Sequence, residues 1–124
     1  MKIIDFPSTN SITTANVHGA FTILSAGDLI YRLEDALERV QQAKPNEQVK
    51  VSCHFSFLDT RCKKLVFKYL RQIEEYQLNH SGKQISVDWN YDWFDDDIIE
   101  FGLLAQESFH LAFKHIEHIS SQSV

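Results

Sequence analysis

At 124 residues the chain has room for one domain with a real core and none for a second. Apolar residues make up 44% and charged residues 23%, the balance of an ordinary soluble globular protein. The formal net charge of −5 argues against the basic surface that nucleic acid or an anionic membrane would require.

No apolar run approaches the length of a membrane-spanning helix, and MKIIDFPSTN lacks the apolar core of a signal peptide. Cys53 lies in a strand pattern and Cys62 in a first helical turn, with neither a CxxC motif nor a disulfide framework. The expectation is a reduced, cytoplasmic protein.

In chain order, Lys2 to Phe6 reads as an edge strand and the polar stretch Pro7 to Ala15 as a loop. Val17 to Leu24 reads as a strand, with Gly19 marking a bulge or close approach. Ser25 followed by Asp28 has the form of a capping box, with Asp in place of Glu. A helix then runs to about Ala43, with Leu29, Ile30, Leu33, Ala36, Leu37 and Val40 on one stripe, and Pro45-Asn46 closes it.

Val49 to Phe57 alternates strictly. Val49, Val51, Cys53, Phe55 and Phe57 point one way, and Lys50, Ser52, His54 and Ser56 the other. Past Leu58-Asp59-Thr60-Arg61 the period turns helical, with Leu65, Val66, Tyr69, Leu70, Ile73 and Tyr76 on a stripe that fades near Asn79 to Gly82. Asp59 and Thr60 stand at the strand-to-helix corner, where either can be the N-cap. Thr60 has two readings there: a plain cap, or a phosphorylation site, since a helix N-terminus offers free N–H donors and a positive dipole end.

Ile85 to Asp92 alternates again, placing Ile85, Val87, Trp89 and Tyr91 opposite Ser86, Asp88, Asn90 and Asp92. A third helix is expected from about Asp95 to Ser108, its inner face Ile98, Gly102, Ala105 and Phe109. Leu111 to Ile119 fits neither template well and is read as an edge strand, with Ser120 to Val124 a frayed tail.

Strands separated by helices suggest parallel crossover units. Strands covered on both faces, however, read as continuous apolar runs, and the two best strands here are apolar on one face only. The expected architecture is a two-layer α/β domain over residues 1–124. Its mixed sheet of four to five strands carries three helices on one face and leaves a polar face with His54, Asp88 and Asn90.

These residues resemble two families. A strand, then Asp-Thr at the corner, then a helix, on a small sheet with helices on one side, resembles the STAS domains of anti-sigma-factor antagonists. More closely, the chain is similar to the SiaC family of bacterial regulatory phosphoproteins. Phe57-Leu58-Asp59-Thr60 with Lys64 matches that family's aromatic-x-Asn-Thr-Ser-Ser corner. Val87-Asp88-Trp89-Asn90-Tyr91-Asp92, then Asp95-Asp96-Asp97 and Glu100-x-Gly102, match its V-x-W-x-Y segment and acidic helix start. Gly19-x-Phe21-x-Ile23 resembles its second strand. Two departures stand out: Ser25-Ala26-Gly27-Asp28 replaces the family's Ser-x-Pro-Glu-Asn turn, and Arg61-Cys62 replaces the Ser-Ser after its threonine.

The resemblance implies a partner switch without catalysis. By that resemblance, a dedicated protein kinase would phosphorylate Thr60, a PP2C-type phosphatase would reverse it, and the unmodified form would bind and activate a diguanylate cyclase that controls biofilm formation. With the resemblance, the phosphosite reading of Thr60 stands above the plain cap. Asp59 and Arg61 flank the threonine in sequence. Trp93, Phe94 and Asp95 join it on one rim if the two central strands are parallel, and rim aromatics are natural interface anchors.

Two other constellations stand out in the sequence. Asp92, Asp95, Asp96, Asp97 and Glu100 lack the Gly and the alternating spacing of a calcium loop, and acidic residues suit a first helical turn in any case. No metal or other cofactor is therefore expected. His110, His115 and His118 have no ligand spacing and are read as surface residues. The alternatives to the SiaC reading are an anti-sigma-factor antagonist of the STAS kind and a small metal-dependent hydrolase using the acidic rim with His54.

Overall fold

The computed structural model describes residues 12–80 and 84–119. The strand expected at Lys2 to Phe6 and the tail from Ser120 lie outside these residues. Among the described residues four strands and three long helices alternate: β1 (Ile12–Phe21), α1 (Ala26–Gln42), β2 (Gln48–Leu58), α2 (Thr60–Asn79), β3 (Gln84–Asp92), α3 (Asp96–Ser108) and β4 (Ala112–His118). The strands form one sheet in the order β1-β2-β3-β4. All three pairings are parallel.

The sheet is therefore parallel among the described residues, not mixed. Every connection is a helical crossover, and a crossover returns the next strand in the same direction. Because the strand order always steps the same way, crossovers of the usual hand put all helices on one face. The two-layer arrangement follows. The other face stays polar and makes its own hydrogen bonds, which lets a parallel sheet do without a second helical layer.

The helical periods hold in detail. Leu29, Leu33, Ala36 and Val40 are the buried stripe of α1, and Val66, Tyr69, Leu70 and Ile73 lie on that of α2. They close over Val49, Val51, Cys53, Phe55, Val87 and Trp89 of the central strands. Each fully buried aliphatic or aromatic side chain contributes on the order of 1.5–3 kcal/mol relative to exposure. Trp89 lies flush beneath α3, its indole N–H donating to the Ile98 carbonyl at 3.0 Å. Gly102 makes that approach possible, since a Cβ there would stand 2.3 Å from Trp89 Nε1.

The structure departs from the local expectations at several points, and the strand expected to reach Leu24 ends at Phe21. Ile12 to Ala15, read as loop, belongs to β1, where the residues pair with β2 from Gln48 onward. Ser25 precedes α1 without a side-chain cap bond to it; the reciprocal capping box is Thr22 with Ser25 around the single 3-10 turn Ile23–Ser25. The alternation of β2 breaks at its end. Gly19 (φ 136°) and Ala20 face Phe55 and Phe57, so Ser56 is an extra residue on β2. That bulge turns Phe57 outward and sends Leu58 into the core instead.

Candidate functional site

In a parallel sheet all strands end at the same rim, so the turns after β1, β2 and β3 meet there beside the end of β4. Asp59 N–H donates to the Phe21 carbonyl at 3.3 Å, and Trp93 N–H to the His118 carbonyl at 3.0 Å, tying neighbouring turns together. The cap at the corner is Asp59: its Oδ1 accepts from the Cys62 N–H at 2.9 Å. Bonds from the Cys62 amide foremost, with one from the Ile23 amide, hold its carboxyl below the usual carboxylate range. Thr60 is thereby released from capping. It is the first residue of α2 and is exposed, as is Arg61 beside it.

Around this corner the rim carries apolar side chains that the core does not use. Leu24 is 95% exposed, Phe94 62%, Ile23 56%, Trp93 54% and Phe57 49%. Trp93 and Phe94 pack edge to face against each other, centroids 5.6 Å apart. Several large apolar side chains on one rim of an acidic surface are the mark of a contact surface. Phe57, Ile23 and Leu24 were not singled out in the sequence. Phe57 belongs to an unbroken alternation, and only the bulge exposes it.

Between α2 and α3 a groove of about 400 Å³ opens at Thr60, lined by Lys63, Lys64, Phe67, Asp97, Phe101 and Leu104 among others. Lys63 Nζ bridges it to Asp97 Oδ1 at 2.7 Å and lies 5.6 Å from the Phe101 ring centroid. The acidic residues do not converge. Asp95 caps α3 by accepting from the Ile98 N–H at 3.2 Å, Asp97 holds Lys63, and Asp92 faces His54 at 3.3 Å. They serve three separate structural duties, and among the described residues no group of three acidic, His or Cys side chains is arranged to hold a metal ion.

The face without helices carries a second polar constellation. His18, His54 and Asn90 stand in register across β1, β2 and β3. The His54 ring stacks on His118 of β4 at 4.6 Å and meets His18 edge-on at 5.9 Å. Asn90 is buried; its amide donates to the Cys53 carbonyl at 3.1 Å, leaving its oxygen to accept from His118 at 2.8 Å. That assignment puts the proton of His118 on Nε2. Lys50 and Asp88 pair at 3.7 Å lower on the same face. The polar face expected from the sequence is present, although Asp88 and Asn90 are buried by their neighbours. His118 belongs to this network rather than standing alone, while His115 bonds Gln106 at 2.6 Å. Cys53 and Cys62 are both buried free thiols. Burial and the nearby Asp88 push Cys53 up to about 12, and burial and Asp59 push Cys62 to about 11.

An open parallel sheet with three helices on one face defines a two-layer α/β domain. The family model described as SiaC family regulatory phosphoprotein matches residues 13–118, and the chain belongs to that family. Among solved structures the fold is similar to a chain of the crystal structure of diguanylate cyclase SiaD in complex with its activator SiaC from Pseudomonas aeruginosa. The TM-score is 0.69 and the identity 19%, over 85% of this chain and 84% of that one. No curated protein sequence matches the chain. Among the described residues no helix is long and apolar enough to cross a membrane.

Proposed function

We propose that this protein is the phosphorylatable binding arm of a cytoplasmic partner switch and has no catalysis of its own. In its unmodified form it binds and activates a diguanylate cyclase. A protein kinase transfers phosphate to Thr60, and a PP2C-type phosphatase removes it. The observation that carries this reading is the exposed Thr60, left out of the cap that Asp59 makes, on the same rim as exposed Trp93, Phe94, Phe57 and Leu24. The regulatory phosphoprotein family supports it, and so does the cyclase named beside the structural neighbour.

The physics of the switch is a solvation argument. An interface that covers these apolar side chains also covers Thr60. Phosphorylation adds roughly −1.5 to −2 charges at that point. The rim already carries Asp59, Asp95, Asp96 and Asp97. A partner docking there would have to strip water from an unpaired dianion, a cost that exceeds what a few apolar contacts return. Asp59, Arg61 and Asp95 border the patch and set its charge. Trp93 and Phe94 are the anchors.

Incubation with the cognate kinase and ATP, followed by mass spectrometry, should place phosphate on Thr60. Binding of both forms to the cyclase should then differ by at least tenfold, with Thr60→Glu resembling the phosphorylated form and Thr60→Ala the unmodified one. Phosphate on Ser52 or Ser56, or equal affinity of Thr60→Glu and wild type, would refute the switch.

A further inference from the structure

Thr60, Lys63, Lys64, Asp97 and Glu100 line one groove between the first turns of α2 and α3. In the unmodified chain two lysines face two carboxylates there, and the bridge that spans the groove is Lys63 to Asp97 at 2.7 Å. It is a latch between helices, since the side chains belong to α2 and α3 respectively. The Asp97 side chain is 58% exposed and carries a single charge, so its hold on a lysine is weak. Positions 60 and 63 are helical neighbours at i,i+3, with Cβ atoms about 5–6 Å apart. A phosphate on Thr60 would bring nearly two charges and three acceptor oxygens to within reach of the same ammonium.

We propose that Lys63 exchanges partners when Thr60 is phosphorylated, leaving Asp97 for the phosphate and so unlatching the first turn of α3 from α2. This rests on Thr60 as the phosphoacceptor and adds the route by which the modification acts beyond its own position. Once Lys63 turns away, Asp97 faces the phosphate across the groove without its ion-pair partner, and with Lys64 the one lysine left to the two carboxylates the added negative charge pushes the two helix starts apart. The ammonium also leaves the Phe101 ring, over which it lies at 5.6 Å. Trp93 and Phe94 lead directly into α3 through the Asp95 cap. The displacement therefore reaches the same aromatic side chains that anchor the partner.

The test needs neither kinase nor cyclase: phosphothreonine is installed at position 60 during translation, and the phosphate is titrated by ³¹P NMR alongside amide spectra of α3. In the otherwise wild-type chain its second pKa should lie below the usual value of about 6. Lys63→Met should raise it by about half a unit or more, the scale of one charge at contact distance in water. Lys63→Arg should restore the low value, and Lys64→Met should move it less than Lys63→Met does. Asp97→Asn should lower it further by freeing Lys63. Amides of Asp96 to Glu100 should shift on phosphorylation in wild type and lose most of that shift in folded Lys63→Met. Identical phosphate titrations with and without Lys63, in chains of unchanged urea midpoint, would overturn the exchange. A kinase that leaves Thr60 unmodified would refute the phosphosite while leaving these titrations standing, so the two failures are distinct.

Discussion

The chain carries two polar constellations within one sheet's width of each other, and they are built on opposite principles. On the open face, His18, His54, His118, Asn90, Ser52 and Asp92 satisfy one another across four strands. At the C-terminal rim, Thr60 and Arg61 stand exposed beside Trp93, Phe94, Phe57 and Leu24. The open face joins its polar side chains to one another, and it stands where a parallel sheet usually has a second helical layer. The rim leaves apolar surface in water, which a lone domain gains nothing by doing. If the proposed site is the rim, density of polar residues is a poor guide to it, and exposed apolar side chains are a better one.

Substitutions beneath and upon the sheet should destabilise, while those at the rim should alter binding with little loss of stability. The largest stability effect is expected under α3. Gly102→Ala would drive a methyl to 2.3 Å from Trp89 Nε1 and dislodge its bond to the Ile98 carbonyl. A loss of about 3 kcal/mol in urea unfolding is expected, combining overpacking with a broken buried hydrogen bond. A neutral Gly102→Ala would mean that α3 is not seated on Trp89.

Next comes the open face. Asn90→Ala should cost about 2 kcal/mol by the same measurement, because the Cys53 carbonyl and His118 lose a buried partner. If instead it left stability unchanged and weakened cyclase binding, the two regions would have exchanged roles. At the corner, Thr60→Ala should change stability by less than about 0.5 kcal/mol, since Asp59 makes the cap. Asp59→Ala should lower the urea midpoint clearly below that of Thr60→Ala. The reverse order would return Thr60 to the role of a plain cap.

The smallest effect is a pH dependence on the open face. Burial foremost, then the charges of His54, Arg32 and His118, hold the His18 pKa below 6.5. The unfolded chain then takes up this proton more readily than the folded one. The contribution to stability is full above pH 6.5 and is lost as pH falls through that value toward the lower folded pKa. His18→Gln should flatten the slope of urea midpoint against pH between 7.5 and 5. A slope unchanged by the substitution would remove His18 from the network's electrostatics.

Much of this was legible in the chain itself. The alternation of Val49 to Phe55 and of Ile85 to Asp92, and the stripes of the three helices, are local periodicities imposed by backbone geometry. They determined the elements, their inward faces and the polar outer face. The Asp59-Thr60 corner and the Trp89 and Gly102 matches were visible because they are contiguous or nearly so. What is non-local was not. Strand direction depends on where each crossover returns, so the shared rim of Thr60, Trp93 and Phe94 was legible only on the condition that the two central strands run parallel, a condition the assembled sheet meets. The outward turn of Phe57 needs the mismatch of β1 against β2 at Gly19, and the cap at Asp59 rather than Thr60 is decided by which oxygen meets the Cys62 amide. The Lys63–Asp97 bridge joins residues 34 positions apart, and no period in the sequence relates them. Spacing sets what each segment does with its own neighbours; packing decides which segments become neighbours at all.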